Sequence, residues 1–209
     1  MTGPDPAATA RRREVALAGH RGDASAALAG LRDPEPAVRA AALGALDRLG
    51  ILTGDQLGQA AADPAAAVRS RAAELAPAAG PAGVELLVPL LGDTSPTVVE
   101  AACFGLGEAG EQARSHPPVL VELDRVARGH PDPLCREAAV AAVGAIGDPA
   151  GLATVLAGMA DKPAVRRRAV LALAAFDGPE VDAALEQALA DRDWQVRQAA
   201  EDLTGRLDT

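Results

Sequence analysis

One pattern recurs along the chain and restricts its fold more than any other feature. An aspartate is followed, often through a proline, by Val-Arg and then by an alanine-rich stretch that closes on Leu or Ile and Gly. Copies begin at Asp33, Asp63, Asp93, His130, Asp161 and Asp191, and their arginine column falls at 39, 69, 99, 136, 166 and 197, in steps of 30, 30, 37, 30 and 31. A degenerate earlier copy runs from Asp5 to Arg11. A unit of about 30 residues is too small to bury its own apolar face, so such units must stack on one another.

Each copy reads as a helical hairpin. In its second helix, B, the residues Val38, Ala42, Ala45, Leu46 and Leu49 share one face of a 3.6-residue period. Pro36, Pro96, Pro133 and Pro163 stand two positions before the valine column, where proline suits a first helical residue. Ser95, Asp132 and Asp193 are in place to cap B helices. The shorter A helices are expected over 24–31, 56–62, 84–91, 119–128, 152–160 and 181–190, with Pro89 kinking the third. The expected fold is all-α, a solenoid of about six antiparallel hairpins over residues 23–209, preceded by a segment 1–22 holding a degenerate half-repeat helix. A break falls near 110–118.

Composition agrees. Alanine is the commonest residue, only 1% of the chain is aromatic, and there is no tyrosine. Alanine is the best helix former and is depleted in strands, which argues against a β-sandwich or barrel. The net charge of -9 opposes general nucleic-acid binding. No apolar run reaches the ~18 residues of a membrane span. Two cysteines and an N-terminus unlike a signal peptide point to a reduced, cytoplasmic setting.

The repeated Asp-x5-Arg with valine before the arginine resembles the HEAT repeat, in the short variety of phycobilin-lyase-like HEAT proteins, from about Asp23 onward. The resemblance implies A helices on the convex side, B helices on the concave side, and an Asp/Arg hydrogen-bonded ladder between repeats. An arginine opening helix B donates to several acceptors, and an aspartate in the preceding turn can accept from it and from free helix N–H groups. Asp33, Asp63, Asp161 and Asp191 with Arg39, Arg69, Arg136, Arg166 and Arg197 are therefore read as scaffold.

Departures from the repeat carry the functional expectations. The third copy has Val99 in the arginine column, and seven residues are added around Gly110–Pro118. They are either a tolerated surface loop or a binding loop that alters the curvature. Six positions after the valine column stand Gly44, Glu74, Phe104, Ala141, Leu171 and Asp202, on a face that should be polar. A concave groove is expected with an apolar centre at Phe104 and Leu171 and a rim of Glu74, Glu100, Glu137 and Asp202. It suits a partner helix or extended segment with basic flanks. The competing expectation slips the helix phase by one position and buries both apolar side chains. Trp194, which replaces the column's proline, is expected to cover the C-terminal end of the core, and Arg11–Arg13 and Arg166–Arg168 to be solvated faces with one ladder arginine each.

Catalysis finds little support. His20, His116 and His130 lie far apart, no metal-ligand spacing occurs, and the His-Glu pairs of deoxyhypusine hydroxylase are missing. Cys103 and Cys135 read as small buried residues. The expectation is a non-catalytic adaptor without a cofactor that binds another protein, not nucleic acid or membrane. The lyase resemblance supplies the alternative, a chromophore-handling or lyase subunit.

Overall fold

The computed structural model describes residues 5–207, which form fourteen α-helices, three 3-10 segments and no strand among the described residues. The A helices are α2 (Ala24–Gly30), α4 (Gly54–Ala61), α6 (Pro81–Leu90), α9 (Pro118–Gly129), α11 (Leu152–Gly158) and α13 (Pro179–Leu189). Their B partners are α3 (Pro36–Arg48), α5 (Ala66–Leu75), α7 (Pro96–Ala109), α10 (Pro133–Ile146), α12 (Pro163–Ala172) and α14 (Trp194–Leu207). Helix α1 (Pro6–Arg21) packs on α3 as a further B-type helix, and the short α8 (Glu111–Arg114) follows α7.

Three columns of the B helices build the core. Val38, Val68, Val98, Cys135, Val165 and Val196 are all buried. Four positions on, Ala42, Ala72, Ala102, Ala139, Ala169 and Ala200 are buried without exception. Eight positions on come Leu46, Ala76, Leu106, Val143 and Leu173. The invariant alanine faces the A helix of its own repeat where a glycine stands opposite: the Cβ position of Gly30 is 3.0 Å from the Ala42 Cβ and that of Gly158 3.2 Å from the Ala169 Cβ, so only a small side chain fits. Glycine goes further: a Cβ on Gly144 would fall 2.6 Å from the Ala172 Cβ, and one on Gly19 2.9 Å from the Ala45 Cα. Successive B helices consequently pack more intimately than successive A helices.

Local chemistry sets the boundaries. Pro36, Pro96, Pro133 and Pro163 each open a B helix, where the missing N–H costs nothing. Asp132 accepts from the Leu134 N–H at 2.9 Å and Asp193 from the Gln195 N–H at 2.9 Å. Ser95 does not cap α7, because its hydroxyl pairs with that of Thr97 at 2.9 Å. Pro89 falls in the last turn of α6, so it ends that helix rather than bending its middle.

Trp194 departs from expectation. It is 65% exposed and does not cover the core. The column it occupies is the first residue of each B helix, whose side chain points back along the chain toward solvent; Val196, two residues on, fills the interior. The inserted stretch is not a bare loop either. It folds as α8, buries Ala113, and ties back through Arg114 to Asp148 at 3.5 Å.

Candidate partner-binding groove

The ladder holds the B helices in register. Arg39 donates through Nε and Nη2 to Asp63 of the next repeat, at 2.8 and 2.7 Å, and through Nη1 to the carbonyls of Asp33 and Pro34 in its own. The same bidentate contact joins Arg11 to Asp33, Arg69 to Asp93, Arg136 to Asp161 and Arg166 to Asp191. Each of these carboxylates also accepts a backbone N–H at the start of the following helix. The arginine hydrogen bonds hold all five carboxyls below their ordinary range. Arg197, the last of the column, donates to the Asp191 carbonyl.

One rung is replaced by other contacts, and both of its charges are gone together. Val99 stands where the arginine would be and is fully buried, while His130 takes the aspartate's place. The His130 carbonyl still accepts from Arg136 at 2.8 Å, and its ring Nδ1 accepts the Asp132 N–H at 3.1 Å. Losing a single partner would strand a half-buried charge; losing both leaves an apolar junction. Here α7 and α10 meet through small residues, with the Cβ position of Gly107 3.3 Å from the Ala142 Cα.

On the B face at this junction lies a cleft of about 570 Å³. Its floor is Gly107, Ala138, Ala141, Ala142 and Ala145, and Phe104 and Leu134 stand over it, 61% and 56% exposed. Glu100, Glu108 and Glu137 supply its charge. Arg168 reaches in from α12 toward Glu137, with N–O distances of 3.3 and 3.4 Å. Through Ala141, Ala145 and Arg168 the cleft continues into a second depression of about 340 Å³ that includes Leu171. The helix phase therefore leaves Phe104 and Leu171 outside the core.

Four of the six residues expected around the groove, Phe104, Leu171, Glu100 and Glu137, line this continuous surface. Two do not. Glu74 lies on α5 and is held by Arg71 at 2.7 Å, and Asp202 lies on α14, accepting from Gln198 at 3.0 Å. Equal column position did not bring them in, because successive B helices carry the column along the stack and the cleft spans only α7, α10 and α12. Glu108 was missed although it continues the i, i+4, i+8 stripe of Glu100 and Phe104. Leu134 and Arg168 carried no comparable signal, since one sits in a helix's first turn and the other in a run of three arginines.

The two thiols are not reactive groups. Burial pushes Cys135 up to about 11 and raises Cys103 as well, so both stay protonated near neutrality. Among the described residues, no group of three or more His, Cys, Asp or Glu is placed to hold a metal ion, and no helix is long and apolar enough to cross a membrane.

The family model for HEAT repeats matches residues 122–203. No curated protein sequence matches the chain. Among solved structures, a designed armadillo repeat protein in complex with the peptide (KR)4 is similar over 86% of this chain and 97% of its own, at 17% identity and a TM-score of 0.63. The Escherichia coli protein YibA is similar over 96% of this chain and 75% of its own, at 16% identity and a TM-score of 0.63. Human deoxyhypusine hydroxylase, at 24% identity and a TM-score of 0.50, covers 98% of this chain. The fold is that of a HEAT/armadillo-like α-solenoid.

Proposed function

We propose that the protein is a non-catalytic interaction scaffold whose inner B-helix face holds a segment of another protein, anchored by an apolar side chain and flanked by lysine or arginine. The observation that carries this reading is the pair of large apolar side chains, Phe104 and Leu134, left exposed beside Glu100, Glu108 and Glu137 on a floor of glycine and alanine. Exposed aromatics over a shallow apolar floor are typical anchors of binding surfaces, and the surrounding carboxylates select a cationic partner. The similar armadillo protein, whose complex contains a peptide of alternating lysine and arginine, belongs to the same architecture and is consistent with that choice. The chromophore-handling alternative is not favoured: Phe104 is the one aromatic residue lining the groove, and its charges are carboxylates with a single arginine.

The test is fluorescence anisotropy with a labelled nonamer of lysines and arginines around one central leucine. Phe104→Ala should weaken binding about tenfold, and Glu100→Lys should weaken it further at low salt than at high salt. Equal affinity for wild type and both folded variants would overturn the reading.

A further inference from the structure

A second cleft on the same B face has the opposite charge. It spans α1, α3 and α5, has a volume of about 430 Å³, and is lined by Arg12, Arg48 and Arg71 over a floor of alanines and Gly44. Two of these guanidinium groups converge on one residue. Arg48 Nη1 lies 3.5 Å from the Gly44 carbonyl, and Arg71 Nη2 occupies the space a Cβ on Gly44 would need, only 2.7 Å from it. Glycine at that position lets Arg71 fold across α3. Glu74 holds Arg71, but no ion pair within 4.0 Å engages Arg12 or Arg48 among the described residues. In a chain of net charge -9, three arginines drawn together with one carboxylate beside them form a local surplus of positive charge.

We infer that this cleft docks an acidic stretch of the same bound polypeptide, so that the inner face takes a segment with carboxylates at one end and basic residues at the other. The inference rests on the central-groove reading. Charge complementarity assigns each end to its cleft: guanidinium groups pair with carboxylates in bidentate geometry, as the ladder itself shows, and the three glutamates around Phe104 exclude an acidic residue there. The spacing sets the length. From α3 to the α7/α10 junction is between two and three B-helix steps of about 8–10 Å each, so an extended linker of about 6–9 residues is needed to span it.

Three labelled peptides test this by anisotropy: the basic nonamer, a nonamer of glutamates around one leucine, and a bipolar peptide joining the two through eight Gly/Ser residues. The bipolar peptide should bind at least tenfold tighter than the basic nonamer, because the second contact becomes intramolecular. Arg12→Glu/Arg48→Glu should reduce it to the affinity of the basic nonamer. If the bipolar peptide binds no tighter than the basic one, the second cleft does not act, while the central groove stands. If neither binds, the central groove has failed as well. Inorganic phosphate abolishing the bipolar advantage in proportion to its concentration, at constant ionic strength and with no binding of the acidic nonamer alone, would overturn the inference in favour of a phosphate site.

Discussion

Removing one carboxylate from the ladder should cost far more than its surface position suggests, and Asp63→Ala is the clearest case. The Asp63 carboxylate accepts from Arg39 at 2.8 and 2.7 Å and from the Ala65 N–H at 2.8 Å, and the two side chains are only 12% and 15% exposed. A hydrogen-bonded charged pair contributes about 1.5–3 kcal/mol net, and the backbone contact about 0.5–1.5 kcal/mol. Arg39 keeps its bonds to the Asp33 and Pro34 carbonyls, and water reaches part of the freed guanidinium, so the net loss should be about 2–4 kcal/mol. Adding Arg39→Met should cost less than its own single effect, with a coupling of about 1–3 kcal/mol, because the guanidinium is no longer stranded. The native Val99/His130 junction is the natural form of that double change. Urea denaturation followed by circular dichroism measures the global term, and amide exchange on either side of Asp63 measures local opening, which matters in a stacked array that need not unfold in one step. A loss below about 0.5 kcal/mol for Asp63→Ala, or costs that simply add in the double variant, would refute the ladder as a cooperative element.

Acid should weaken the fold through the same groups. Asp33, Asp63, Asp93, Asp161 and Asp191 have depressed folded pKa values, so the stability they contribute is complete above the unfolded carboxylate value of about 3.9 and is lost as pH falls through their folded values. Thermal melts should therefore decline below about pH 4, and less steeply in Asp63→Ala; an unchanged slope would show that other groups dominate. Gly144→Ala should destabilise by about 1–3 kcal/mol despite alanine's better helix propensity, since its Cβ would meet Ala172 at 2.6 Å. A neutral or stabilising result in urea melts would mean that α10 and α12 separate easily.

The groove itself was half legible. Phe104 and Leu171 break a polar column, and a break in a periodic pattern is visible in one dimension. What the column could not convey was which helices converge. Glu74 and Asp202 share the position of Phe104 but ride on α5 and α14, beyond the reach of one cleft. Arg168, read as part of a solvated run, turns toward Glu137 on the neighbouring helix. Arg12 belonged to another such run, yet it meets Arg48 and Arg71 over Gly44 because three consecutive B helices bring them together.

By itself the sequence determined the stack. A step near 30 residues, the valine and alanine columns, and prolines at helix starts are local or periodic instructions, and the ladder repeats with them. Tertiary structure decided what the surface can do. Whether a side chain on the B-helix face meets a carboxylate, a guanidinium or a floor of alanine depends on the neighbouring repeat, as Arg168 meets Glu137 31 residues before it, and those contacts follow from how closely small residues let the B helices approach.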